Sequence, residues 1–130
     1  MADLAAQNMP THRGSKSDPE GTELAKRIMA GIPPETYRKA VHLLTTFDRR
    51  AGLSKIAVPT LLIAGSEDHT APAAIMASMQ KKIPGSELVV LEGCGHLGPM
   101  DQPAEFNAAL EGFLRKMASR WTATEKTPAR

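Results

Sequence analysis

Two residues of this sequence, Asp68 and His96, carry side chains suited to acid–base work, and each sits in a glycine loop that follows a short apolar run. Histidine can take the proton of a serine or cysteine nucleophile that is weak on its own near neutral pH. A carboxylate on the far imidazole nitrogen fixes the tautomer and stabilises the imidazolium that forms. Asp68 and His96 could supply that acid and base. A loop aspartate is as readily a solvated residue or a helix cap; Asp68 stands out because it lies three residues past Gly65, which ends an apolar run. Gly93, Gly95 and Gly98 let the histidine loop bend sharply and bring backbone close to a site, whereas the competing reading of His96 is a histidine that plugs a core gap.

The neighbouring polar residues are weaker candidates. Cys94 is two residues from His96, and Ser66 and Glu67 lie beside Asp68. A nucleophile must reach its base, and residues two apart in an extended loop tend to point in different directions. Cys94 therefore reads as a small buried loop residue and Ser66 as a turn residue, each kept only as a remote alternative nucleophile. Histidines 12, 42, 69 and 96 show no metal-ligand spacing, and no metal or cofactor is expected. His42 reads as a rim or surface residue and His69 as a loop-surface one. Gly93 to Gly98 matches G-x-G-x-x-G by letters, but Pro99-Met100 follows where a phosphate loop needs a helix, so no phosphate site is expected.

The elements that must position these residues are short. The runs at about 58–64 and 88–92 lack apolar–polar alternation, which predicts parallel strands buried on both faces and covered by helices. Ligand chemistry in such sheets lies beyond the carboxyl ends of the strands, where Asp68 and His96 fall. Between them Pro72 opens a helix at about 72–83, with Ile75, Met79 and Ile83 at intervals of four, and Pro84-Gly85 stops it. Further helices are expected at about 22–30, with Leu24 and Ile28 on one side, and at about 35–49, where Tyr37, Val41, Leu44 and Phe47 make a stripe to pack on the sheet. A last helix at about 103–120, capped by Asp101 or Gln102, buries Phe106, Leu110, Phe113 and Met117, and Trp121 continues the phase. Residues 1–21 are rich in Ala, Asn, Ser, Thr, Pro and Gly, residues 11–21 show no helical or strand periodicity, and this start reads as a loop or frayed end; residues 121–130 read as a polar tail.

Together these residues resemble the C-terminal part of α/β-hydrolase-fold enzymes. In that family a strand of the form V-P-T-L-x-I-x-G ends in a G-x-x-D loop with the triad acid, here Val58 to Asp68. A helix, the last strand and a G-x-G-H loop with the triad histidine follow, here Gly93 to His96, and Gln102-Pro103 with Phe106 is similar to the entry to the last helix. The resemblance implies a truncated α/β-hydrolase fold, with residues 1–50 a lid remnant and leading helices and residues 51–120 the C-terminal part of the core. His12 could then face a substrate, although a solvated loop histidine is the plainer reading. It also implies hydrolysis of an ester, a lactone or a similar carbonyl substrate, or, in members with an aspartate nucleophile, of haloalkanes. The family places a G-x-S-x-G nucleophile elbow and an oxyanion loop upstream, and the 130 residues contain neither. The strand at 58–64 should lack its partner on one side, which favours self-association or a partner chain along that edge. A non-catalytic interaction protein that pairs through this edge is the alternative reading.

Composition narrows the classes. One hundred and thirty residues make one domain, about half of what a complete member of that family needs. Sixteen basic and fourteen acidic side chains give a net charge of +2 without a basic block, which offers nucleic acid no concentrated surface. A single cysteine fits a reducing compartment, and no secretory leader or membrane-spanning run is read, so a soluble cytoplasmic protein without membrane or nucleic-acid partners is expected.

Overall fold

The computed structural model of the chain describes residues 1–125, the last four as helix backbone. Among these residues the sheet has two strands, β1 (Leu61–Gly65) and β2 (Glu87–Leu91), paired in parallel from Leu61 opposite Glu87 to Gly65 opposite Leu91. They occupy the two expected apolar runs. Pro59 has no N–H for a ladder, and β1 starts after it. The expectation of burial on both faces does not hold. Leu62 and Ala64 are buried while Leu61 and Ile63 are half-buried, and Val90 of β2 is exposed.

The crossover between the strands is the helix α4, Ala73–Gln80, shorter than 72–83 because Pro72 stands outside as its cap. Beyond it Ile83 is buried, and Gly85 takes a positive φ of 69° that only glycine adopts cheaply, returning the chain to β2. Met79 is half-buried, but Ile75 is exposed, so the four-residue stripe meets the sheet only toward its end. The last helix, α6 (Pro103–Glu125), also packs against both strands, with Phe106, Phe113 and Met117 half-buried. Leu110 and Trp121 of that face are exposed, and the helix runs through residues 121–125, which were read as tail; residues 126–130 lie outside the described residues.

The N-terminal third corrects the sequence reading most. Residues expected as loop form the helix α1, Ala2–His12, and a second helix, α2 (Pro19–Ala30), starts before residue 22. Ala5 and Met9, four apart, put one narrow face of α1 onto Ala25 and Met29 of α2, with Leu4 and Tyr37 at the border. Asp18 caps α2 by accepting from Glu20 N at 3.0 Å, and Pro19 fits the first turn. The polar residues between Ala5 and Met9, and Pro10 near the end, hid that stripe. The side of α2 that packs is thus Thr22, Ala25 and Met29, not Leu24 and Ile28, which are exposed.

The helix α3, Pro34–Thr46, stops short of residue 49 and does not pack on the sheet: it buries no residue, and Leu44 keeps 76% of its surface. Asp48 accepts from the backbone N–H and guanidinium of Arg50 and starts a 3-10 turn over Arg50–Lys55. The order of burial in α2 makes a test. Met29→Ala should lower unfolding free energy by about 2 kcal/mol or more, whereas Ile28→Ala should change it by less than about 1 kcal/mol, both read by urea denaturation.

Candidate active site

The carboxyl ends of β1 and β2 lead into loops that are bound to each other. Ser66 N donates to Leu91 O at 2.9 Å, Glu67 N donates to Cys94 O at 2.9 Å, and Gly93 N donates to Ser66 Oγ at 2.8 Å. Gly65 allows this approach, because a Cβ there would overlap the carbonyls of Cys94 and Gly95. The turn after Gly65 places Asp68 with its side chain 8% exposed. Its Oδ1 accepts from Thr70 N at 2.8 Å and Ala71 N at 2.9 Å, and its Oδ2 accepts from His96 Nδ1 at 2.9 Å. Burial pushes the carboxyl up, but the Ala71 amide, the His96 ring and the Thr70 amide together outweigh it and hold its pKa below the ordinary value. Because Asp68 is then ionised and can only accept, Nδ1 of His96 is the donor in this bond.

The histidine loop is fixed from three sides. Gly93 adopts φ 72°, Gly95 N donates to Asp101 Oδ2 at 2.9 Å, and Gln102 Nε2 donates to Glu92 O at 3.0 Å. From the N-terminal segment, Lys16 N donates to Gly93 O at 2.9 Å, and His96 N donates to the carbonyl of His12 at 2.8 Å. The His96 side chain keeps 35% exposure, so one flank of the imidazole stays open. A cavity of about 180 Å³ lies there, lined by Ile63, Gly65, Asp68, Met76, Gly95 and His96 among others. A larger hollow of about 810 Å³ lies between α3, the 3-10 turn and α4, away from both residues, and reflects the uncovered face of α3.

The remaining candidates separate cleanly. Cys94 is fully buried, and its thiol is pushed up to about 11 by burial and then by the charges of Asp101, Asp68 and Glu105, so it stays protonated. Ser66 spends its hydroxyl on Gly93 N. Glu67 accepts from both N and Oγ of Ser15 at 2.6 Å, and these bonds hold its carboxyl below the ordinary range; it ties the N-terminal turn down. His42 and His69 are exposed, and no group of three potential metal ligands occurs among the described residues. The G-x-G-x-x-G reading needs one correction: a helix does follow, the four-residue α5 (Gly98–Asp101), which is a link to α6 and not a phosphate-binding helix start.

Two participants escaped the sequence. Asp101, read as a cap for the last helix, turns its buried carboxylate back to Gly95 N, and only Gln102 holds the cap position, its carbonyl accepting from Phe106 N. No spacing signals an aspartate aimed at its own upstream loop. His12, read as a solvated loop residue, ends α1 with its ring against His96, 5.2 Å between centroids.

Comparison with known proteins decides the lineage: the profile described as alpha/beta hydrolase fold matches residues 11–103. The chain belongs to the α/β-hydrolase fold family. It is 30% identical over 120 residues to 3-oxoadipate enol-lactonase 1 of Acinetobacter baylyi, covering 90% of this chain and 45% of that protein. It is 36% identical over 92 residues to a pimeloyl-acyl-carrier-protein methyl ester esterase of Nitrosomonas europaea, covering 69% of this chain and 36% of that one. A thermophilic esterase from Thermogutta terrifontis superposes with TM-score 0.78 at 30% identity, over 88% of this chain and 43% of that chain. The esterase from Exiguobacterium antarcticum does so with TM-score 0.79 at 22% identity, a likeness of fold, over 88% of this chain and 42% of that chain. These 130 residues thus span less than half the length of the hydrolases they match and carry part of the α/β-hydrolase fold. No helix among the described residues is long and apolar enough to cross a membrane.

The depressed carboxyl of Asp68 fixes a pH dependence. Its contribution to stability is fully present above the unfolded value of about 4 and is lost as pH falls through the lower folded value. The stability difference between the wild-type chain and Asp68→Asn, measured by urea denaturation, should therefore shrink as pH falls below about 4.

Proposed function

We propose that this chain supplies the acid and base of a hydrolytic triad for an ester, a lactone or a similar carbonyl substrate, Asp68 orienting His96 and His96 Nε2 taking the proton of a nucleophile. The observation that carries the reading is the 2.9 Å Asp68–His96 hydrogen bond at the carboxyl ends of adjacent parallel strands, with the second carboxylate oxygen held by two amides. His96 would remove the proton of an attacking hydroxyl and return it to the leaving group, while Asp68 stabilises the imidazolium between the two steps. The lactonase and esterase names of the relatives support a carbonyl substrate. The nucleophile must come from residues outside these 130, which contain no G-x-S-x-G, and the cavity beside His96 is where it would approach. No cofactor enters this chemistry, and the single cysteine fits a cytoplasmic setting.

Without a positioned nucleophile or oxyanion donors the pair has little to act on; one missing donor alone costs roughly a hundredfold to a thousandfold. The 130-residue chain should hydrolyse activated esters no faster than free imidazole and take no label from a fluorophosphonate probe. Fused to, or mixed with, the upstream half of a related hydrolase, it should gain activity that His96→Ala abolishes. Robust hydrolysis by the chain alone, lost on Cys94→Ala or Ser66→Ala, would sink the assignment.

The second reading, a non-catalytic protein that binds through its surface, draws on the sheet edge. β1 is paired on one side among the described residues, and Val58, Val41, Leu43, Leu44 and Phe47 are exposed. An unpaired edge beside apolar surface recruits other chains. Sedimentation should show concentration-dependent self-association of the 130-residue chain, and a stable monomer at high concentration would count against edge pairing.

A further inference from the structure

The last residue of α1 does more than end a helix. Its carbonyl accepts from His96 N at 2.8 Å, and its ring lies against the His96 ring, tilted by 35°. Its Nδ1 shares a hydrogen bond of 3.1 Å with Thr70 Oγ1. Thr70 N in turn donates to Asp68 Oδ1, and Asp68 Oδ2 accepts from His96 Nδ1. The four residues close a ring, His12 to Thr70 to Asp68 to His96 and back. Gly95 keeps the approach open, since a Cβ there would overlap the His12 carbonyl, and the turn after His12 is anchored by Ser15 on Glu67.

We propose that His12 is a positioning residue for the His96 base, its ring packed against the imidazole and holding it on Asp68, a proposal that rests on the acid–base reading of that pair. A lone hydrogen bond to Asp68 leaves the His96 ring free to swing about its Cβ, whereas contact with a second ring limits that motion and holds Nδ1 on the carboxylate. The groups that face the His12 ring are His96 after β2, Asp68 after β1 and Asp101 of α5. Burial and the His96 ring lower the pKa of His12 against the pull of the two aspartates, which favours its neutral form.

Histidine side-chain NMR on the 130-residue chain tests this without any activity. A slowly exchanging, downfield Nδ1–H signal of His96 is expected in the wild type and is lost in Asp68→Asn. His12→Ala should broaden or lose the same signal while the amide spectrum of β1, β2 and α6 persists, and His12→Phe, which restores a ring, should recover it in part. Should His12→Ala disturb the fold, Thr70→Val, which keeps the amide bond to Asp68, is expected to speed exchange of that proton. In His96→Gln the titration midpoint of His12 should shift upward, because one opposing charge is gone. An unchanged signal in both His12→Ala and Thr70→Val, with Asp68→Asn still removing it, overturns the clamp and leaves the acid–base pair standing. Absence of the signal from the wild type overturns both.

Discussion

The constraint on which the structure depends is the close approach of three backbone segments at one end of the two-stranded sheet. Glycine at positions 14, 65 and 95 lets carbonyls of Gly93, of Cys94 and Gly95, and of His12 come where a side chain would stand. Through those gaps pass the hydrogen bonds that join the loop after β1 to the loop after β2 and both to the turn after α1. Only because the main chains touch can short side chains such as Asp68, Thr70 and Ser66 reach across. The Asp68–His96 contact is therefore a product of backbone packing first and of side-chain chemistry second.

That order of causes explains what the sequence disclosed. Strands β1 and β2, the crossover α4 and the last helix were legible because an unbroken apolar run or a four-residue stripe marks each, and proline or glycine marks the ends. The meeting of Asp68 and His96 could be anticipated because parallel strands bring their carboxyl ends together whatever covers them. Helix α1 was not legible: its buried face is two residues wide, Ala5 and Met9, and alanine gives a weak hydrophobic signal. The fate of α3 was misjudged for the opposite reason. Its apolar stripe is real, but a stripe records that a surface needs cover and not which surface supplies it. The roles of Asp101 and His12 depend on contacts between segments that no local pattern encodes.

Electrostatically the site keeps its charges apart by function. Asp68 is ionised and fully engaged, Asp101 holds an amide of the histidine loop, and Glu67 holds the N-terminal turn. Cys94 lies buried beside this loop, where burial and then the charges of Asp101, Asp68 and Glu105 oppose a thiolate.

The long span of the contacts at this end has a kinetic side. Asp68 and His96 are 28 residues apart, but His12 reaches His96 across three times that distance. Tripling a loop raises its closure cost by about 1 kcal/mol of entropy, and such remote contacts slow folding more than they cost stability. The parallel pair with α4 can assemble from neighbouring sequence, while α1 and its turn must find a surface that does not exist until both glycine loops have formed. The N-terminal segment is then the last piece to seat and the first to leave, so a chain emerging from synthesis carries its docking helix ready and its docking site unmade.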